Sequence, residues 1–244
     1  MLILGIDTAT EQVGCAIGGH EGILAACRSA RGRRHAESLA PAIRTVSEQS
    51  GVELAELGAI AVDVGPGLFT GLRVGLATGV TMAQALGVPM LGISSLDLLA
   101  WSVRFSGRPV AAVVDARRGE VFYALYRPVP GGVQRELGPA VGAPGDLVAE
   151  LTARGEEVLL VGDGPLRHAD AFAHLERAHL AGASHAHPSP TALVTLAHER
   201  ALREEFVAPF EIEPVYLREP DAVANWASRI GTMSMSSTRS PFTT

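Results

Sequence analysis

LILGIDTATEQVGCAIGG, Leu2 to Gly19, and VAAVVDARRGEVFYALYR, Val110 to Arg127, are the two stretches that decide the fold. Each is an apolar run ending on an aspartate, Asp7 or Asp115, followed at once by a polar turn and a second β-rich run. Downstream of the first lie a third run, GILAACRSA, a helix from Ser38 to Gln49, the apolar strand Leu57 to Val64, a helix from Gly71 to Leu86, the strand PMLGI and a helix from Ser95. Downstream of the second lie a β-like stretch near GVQREL, a helix from Pro144 to Arg154, the strand EVLLVGDG, a helix from Pro165 and a last helix from Thr191 to Glu205. The same order is used twice. Duplicated mixed sheets flanked by helices, with their turns facing each other across a cleft, predict an α/β protein of two lobes. The expected boundaries are residues 1–106 and 107–220, and the Ser- and Thr-rich stretch 221–244 is expected to be a disordered tail.

With 244 residues, 47% of them hydrophobic, the chain can bury a core in each lobe. It has no apolar run of membrane-spanning length, and MLILGIDTAT is unlike a secretory signal, so a cytoplasmic protein with no membrane contact is expected. A net charge of −6 argues against a free-standing nucleic-acid binder, because gripping a phosphate backbone draws on clustered cations. Cys15 and Cys27 sit in apolar strand-like runs and read as buried thiols.

Several motifs admit two readings each. In Asp7-Thr8-Ala9-Thr10, the aspartate and threonines suit either a residual phosphate turn or the satisfied backbone of a tight turn. Ala9 and Glu11 weaken the first option, one by replacing a glycine and the other by adding negative charge. Gly65, Gly67 and Thr70 form either an anion nest, with Thr70 capping the next helix, or a plain strand-to-helix corner, and no Lys follows to make a Walker loop. Gly162, Asp163 and Gly164 are equally open between an adenosine contact and a turn. The turn Asp115-Ala116-Arg117-Arg118 is expected to face the first turn, gripping an anion or standing solvated; Arg28, Arg31, Arg33 and Arg34 form a second basic cluster, read as a solvated loop.

Gly71, Gly75, Gly79 and Ala83 recur every four residues, so one ridge of their helix is bare. Helical glycine costs up to about 1 kcal/mol against alanine, so a bare ridge predicts close approach of another helix. That helix belongs either to this chain, near Leu39, Ile43 and Val46, or to a partner, and the partner interface is favoured. Pro41 argues for a first helix beginning after Ser38, which keeps the proline in the first turn. No two of the eight histidines are four apart, no serine lies in a G-x-S-x-G elbow, and neither cysteine has a motif, so no metal centre and no catalytic residue is expected.

GIDTAT, the run VDVGPGLFTGLRVGLATG from Val62 to Gly79, and DARRGEVF from Asp115 to Phe122, supported by GDGP at Gly162 and PVYLR at Pro214, together resemble the TsaB family. The resemblance runs from Leu2 to about Arg218 and implies the duplicated actin, sugar kinase and Hsp70 fold. It further implies a non-catalytic partner of the transferase TsaD in forming N6-threonylcarbamoyladenosine at position 37 of tRNA, with a TsaE-like ATPase assisting. tRNA would be met only within the complex, the isolated chain would form a homodimer, and ATP or ADP would bind weakly within the complex, with no cofactor required. The interface implied is the pair of helices bearing Leu39, Ile43, Val46, Gly71, Gly75, Gly79 and Ala83. The alternatives are an ATP-dependent small-molecule kinase and a metallopeptidase-like enzyme of the same fold.

Overall fold

A computed structural model describes residues 1–30 and 35–218. The first half runs β1 (Leu2–Asp7), β2 (Val13–Gly19), β3 (Gly22–Ser29), α1 (His35–Ser50), β4 (Leu57–Gly65), α2 (Phe69–Leu86), β5 (Met90–Ser94) and α3 (Ser95–Ser102). The second runs β6 (Val110–Arg117), β7 (Glu120–Val129), β8 (Gly132–Gly142), α4 (Pro144–Arg154), β9 (Val158–Val161), the short α5 (Gly164–Arg167) and α6 (Ala169–Phe172), β10 (Ala178–Leu180) and α7 (Pro190–Ala201). The two five-stranded sheets have the orders β3-β2-β1-β4-β5 and β8-β7-β6-β9-β10, so the duplication read from sequence is exact in topology. In each, the first strand is antiparallel to its hairpin partner and parallel to the strand that returns after a helix.

Four boundaries differ from expectation. β10 went unread because AHL is only three residues long and its inner neighbour β9 supplies the pairing. The helix expected from Pro165 is two short helices. The last helix ends at Ala201, where the chain turns and Glu204 takes a positive φ. Among the described residues α1 already runs from His35, with Pro41 inside it on an exposed position. The buried stripe Leu39, Ala42, Ile43 and Val46 offsets the roughly 3 kcal/mol that an interior proline costs, and the His35 ring anchors the first turn.

Packing does not follow the sequence boundary near residue 106. α3 lends Leu96, Leu99 and Ala100 to the core over the second sheet, beside Val110, Val114 and Phe122. α7 lends Leu193, Val194 and Ala197 to the first sheet, against Ile3, Ala59 and Ile93. Each half of the chain thus completes its core with a helix that closes the other's layer. No described helix is long and apolar enough to cross a membrane.

Candidate functional site: two facing turns

The strand ends of the first lobe bring two carboxyl groups together in the interior. Asp7, at the end of β1, has no exposed surface, and Asp63 in β4 is 2% exposed. Asp7 Oδ1 accepts from the Ala9 amide at 3.1 Å; Asp63 Oδ1 accepts from Ser95 Oγ at 2.6 Å and from the Gly65 amide at 2.8 Å. The second oxygen of each has no donor. Burial, reinforced by the facing Asp63 charge, raises the Asp7 pKa well above the usual carboxylate range, and burial pushes Asp63 up to about 6. Contact between the two carboxyls raises Asp7 and lowers Asp63, the signs of a hydrogen bond that Asp7 donates to Asp63.

The rest of the turn is locked onto α2. Thr8 Oγ1 donates to the Gly71 carbonyl at 2.8 Å, the Leu68 amide donates to the Ala9 carbonyl at 2.7 Å, and His35 Nε2 donates to the Thr10 carbonyl at 2.7 Å. Thr8 and Thr10 are buried, and a Cβ on Gly67 would lie 2.2 Å from the Ala9 carbonyl oxygen. The two stretches read as phosphate loops therefore close on each other, and the Ala9, Gly65 and Leu68 amides serve internal bonds. Thr70 does not cap α2: Leu68 stands at the cap, and Thr70 lies exposed in the first turn.

Opposite stands the second lobe's turn, as the sequence predicted. Its positive-φ residues Arg117, Arg118 and Gly119 turn the chain so that Arg117 Nη2 donates to Glu11 Oε1 at 2.5 Å. Arg167 donates to the other Glu11 oxygen at 2.7 Å. Glu11 is held below its ordinary pKa by the Arg117 hydrogen bond first and by Arg167 as well. The same arginines serve the lobe's own acids: Arg117 lies 3.2 Å from Asp115, and Arg167 lies 3.0 Å from Asp163. His168 Nε2 is 3.1 Å from Asp115 Oδ1, and Asp163 Oδ1 accepts from the Asp115 amide at 2.9 Å. Gly162 sits at φ 104°, and a Cβ there would also meet the Val113 carbonyl oxygen at 2.0 Å; Gly164 likewise packs on Val113. Gly162, Asp163 and Gly164 thus have internal duties, and Arg117 grips a carboxylate of its own chain.

The expectation that the glycine ridge faces a partner is corrected. Gly71, Gly75, Gly79 and Ala83 are buried against the chain's own sheet: added Cβ atoms would come within 2.1 Å of the Thr8 carbonyl, 2.3 Å of Thr8 Oγ1 and 2.6 Å of Val62 Cγ1 at the three glycines. Leu39, Ile43 and Val46 join the same core, beside Leu4, Ile6 and Val62. The bare ridge admits a sheet and a turn rather than a second helix. Sequence reasoning also missed Asp63, Ser95, Arg167 and His168. The available signal was an acid shortly before a Gly-Pro in each half, Asp63 ahead of Gly65-Pro66 and Asp163 ahead of Gly164-Pro165, near the end of the strand that returns after a helix.

Cys15 and Cys27 are free and opposite each other on β2 and β3. Among the described residues no group of three or more His, Cys, Asp and Glu is placed to hold a metal. Arg31, Arg33, Arg34 and the tail 221–244 lie outside the described residues.

The model of the TsaD family, tRNA N6-adenosine threonylcarbamoyltransferase, matches residues 29–226. An uncharacterized protein of Mycobacterium leprae is 38% identical over 91% of this chain, which spans 56% of that protein's length. The Bacillus subtilis tRNA threonylcarbamoyladenosine biosynthesis protein TsaB is 27% identical over 93% of this chain and 98% of its own. A Pseudomonas aeruginosa crystal structure described as similar to the peptidase YeaZ superposes with a TM-score of 0.77 at 29% identity, covering 89% of this chain and 99% of that one. With a family match across most of its length and YeaZ architecture in both lobes, the chain belongs to the TsaD family as a TsaB/YeaZ-like member.

Proposed function

We propose that this chain is a non-catalytic partner of a TsaD-like transferase in the formation of N6-threonylcarbamoyladenosine on tRNA. The observation that carries this reading is the state of the first turn. A kinase of this fold needs an aspartate free to hold metal-bound water and amides free to meet phosphate. Here Asp7 is sealed against Asp63, the Ala9 and Leu68 amides are spent, and Glu11 fills the gap between the lobes with its own negative charge. Those features also argue against nucleotide in this cleft of the isolated chain, so weak ATP or ADP binding within the complex would fall at a shared surface.

Because the glycine face of α2 is buried, a TsaD-like subunit, or a second copy in a homodimer, would meet the outer stripe formed by Arg73, Ala77, Thr81 and Gln84. A TsaE-like ATPase and tRNA would then join through the complex. Co-purification of the tagged chain from its host tests this. Recovery of a TsaD-like protein is expected, and Ala77→Arg should reduce it without lowering the melting temperature. Robust ATP turnover or peptide cleavage by the purified chain alone would overturn the reading.

A further inference from the structure

A second cleft, of about 410 Å3, shares no residue with the facing turns. Ile23 and Arg28 of β3 form one wall, Trp101 and Arg104 at the end of α3 another, and the loop carrying His185 and His187 closes it over the first turns of α7. Five hydroxyl side chains also line it: Ser102, Ser184, Ser189, Thr191 and Thr195. No carboxylate does. In a chain of net charge −6 this is a local reversal, two guanidiniums in a concave surface with no acid of its own.

The arginines are not committed elsewhere. Among the described residues, neither Arg28 nor Arg104 has a carboxylate partner, whereas Arg117, Arg127, Arg135, Arg154, Arg167, Arg200 and Arg218 all do. Arg104 is instead positioned by aromatic faces, 4.4 Å from the Trp101 ring and 4.3 Å from that of Phe105, with one Nη1 donor given to the Trp101 carbonyl at 3.0 Å. That arrangement orders the guanidinium while leaving other donors unspent. Four buried side-chain atoms among the described residues lack a hydrogen-bond partner. Two belong to the Asp7–Asp63 pair; the others, Trp101 Nε1 and His187 Nδ1, belong to residues of this wall.

We infer that this cleft binds a small organic phosphate, the phosphate held by Arg28 and Arg104 and the organic body seated on Ile23, Trp101 and Ala192. Guanidinium with hydroxyl neighbours is the donor set that suits a phosphate monoester, and the apolar floor gives a reason to prefer an ester over the bare ion.

Phenyl phosphate is the probe. The chain holds two tryptophans, so Trp226→Phe in the full-length protein leaves Trp101 as the only indole and its fluorescence as the readout. Saturable quenching is expected, weakened by added salt and competed by inorganic phosphate, with Arg28→Gln and Arg104→Gln each reducing affinity by about tenfold. Arg28 lies exposed on an edge strand, so its variant remains informative even where removing Arg104 disturbs the Trp101 stack. Three results would overturn the inference: no saturation into the millimolar range, unchanged affinity in the Arg28→Gln variant with an unchanged melting curve, or equal affinity for phenol.

Discussion

The two lobes repeat one backbone and invert its electrostatics. In the first, Asp7 and Asp63 face each other with no cation in contact, one oxygen of each unpartnered. In the second, the corresponding pair, Asp115 and Asp163, is surrounded by Arg117, Arg167 and His168. Asp7 and Asp63 are 0% and 2% exposed, and the glycines of α2 let that helix lie on Thr8 beside them; Asp115 and Asp163, each 8% exposed, stay within reach of long basic side chains beside the four-residue α5. The same fold thus accommodates a pair of acids at its strand ends in two ways, once with a carboxyl proton and once with arginine.

The largest effect should come from prising the first turn off its helix. Gly71→Leu places a branched side chain where even a Cβ would be 2.1 Å from the Thr8 carbonyl, so a loss above about 3 kcal/mol is expected in urea unfolding. A stable variant would show that α2 does not hold the turn.

Next comes the pH dependence. The folded Asp7 and Asp63 bind protons more tightly than unfolded carboxylates of pKa about 4, so the stability of the protonated pair is fully present below that value. It is lost as pH rises through about 6 for Asp63, and as pH rises through the raised pKa of Asp7. For Asp63 alone the two-unit rise corresponds to about 3 kcal/mol. Asp63→Asn should flatten this descent in unfolding curves measured across that range, and an undiminished slope would show that Asp63 does not bind its proton more tightly in the folded state.

Glu11 should behave with the opposite sign. Its folded pKa is depressed, so the stability of its arginine clamp is present above the unfolded value of about 4.3 and is lost as pH falls below it. Since the partners are about one third exposed, Glu11→Gln should cost only about 1 kcal/mol and should remove part of the salt dependence of the melting temperature. Thr70→Ala should change stability by less than about 0.5 kcal/mol, because Leu68 and not Thr70 stands at the cap of α2.

Much of this comparison was legible in the sequence. Strand–aspartate–turn–strand occurs twice in plain view, and the facing of the two turns followed from it. What could not be read were choices made by tertiary packing. A row of glycines reports only that something comes close; that it is a sheet and a turn, not a helix, depends on how α2 is laid over β1. Asp63 is one acid in an apolar strand until Ser95 and Asp7 meet it from other elements. Pro41 misled because its local cost was visible and the buried stripe that outweighs it is distributed over the whole helix.

The exchange of helices between the halves has a consequence for synthesis. Gly5 of β1 lies against Val194 and Leu193 of α7, partners separated by most of the chain. While a ribosome is still making the second lobe, one face of the first sheet, with Ile3, Ala59, Leu91 and Ile93, has only Leu98 and Trp101 of α3 against it and lacks the cover of α7. The nascent amino-terminal half thus exposes apolar surface, the kind that aggregates, until residue 201 has emerged.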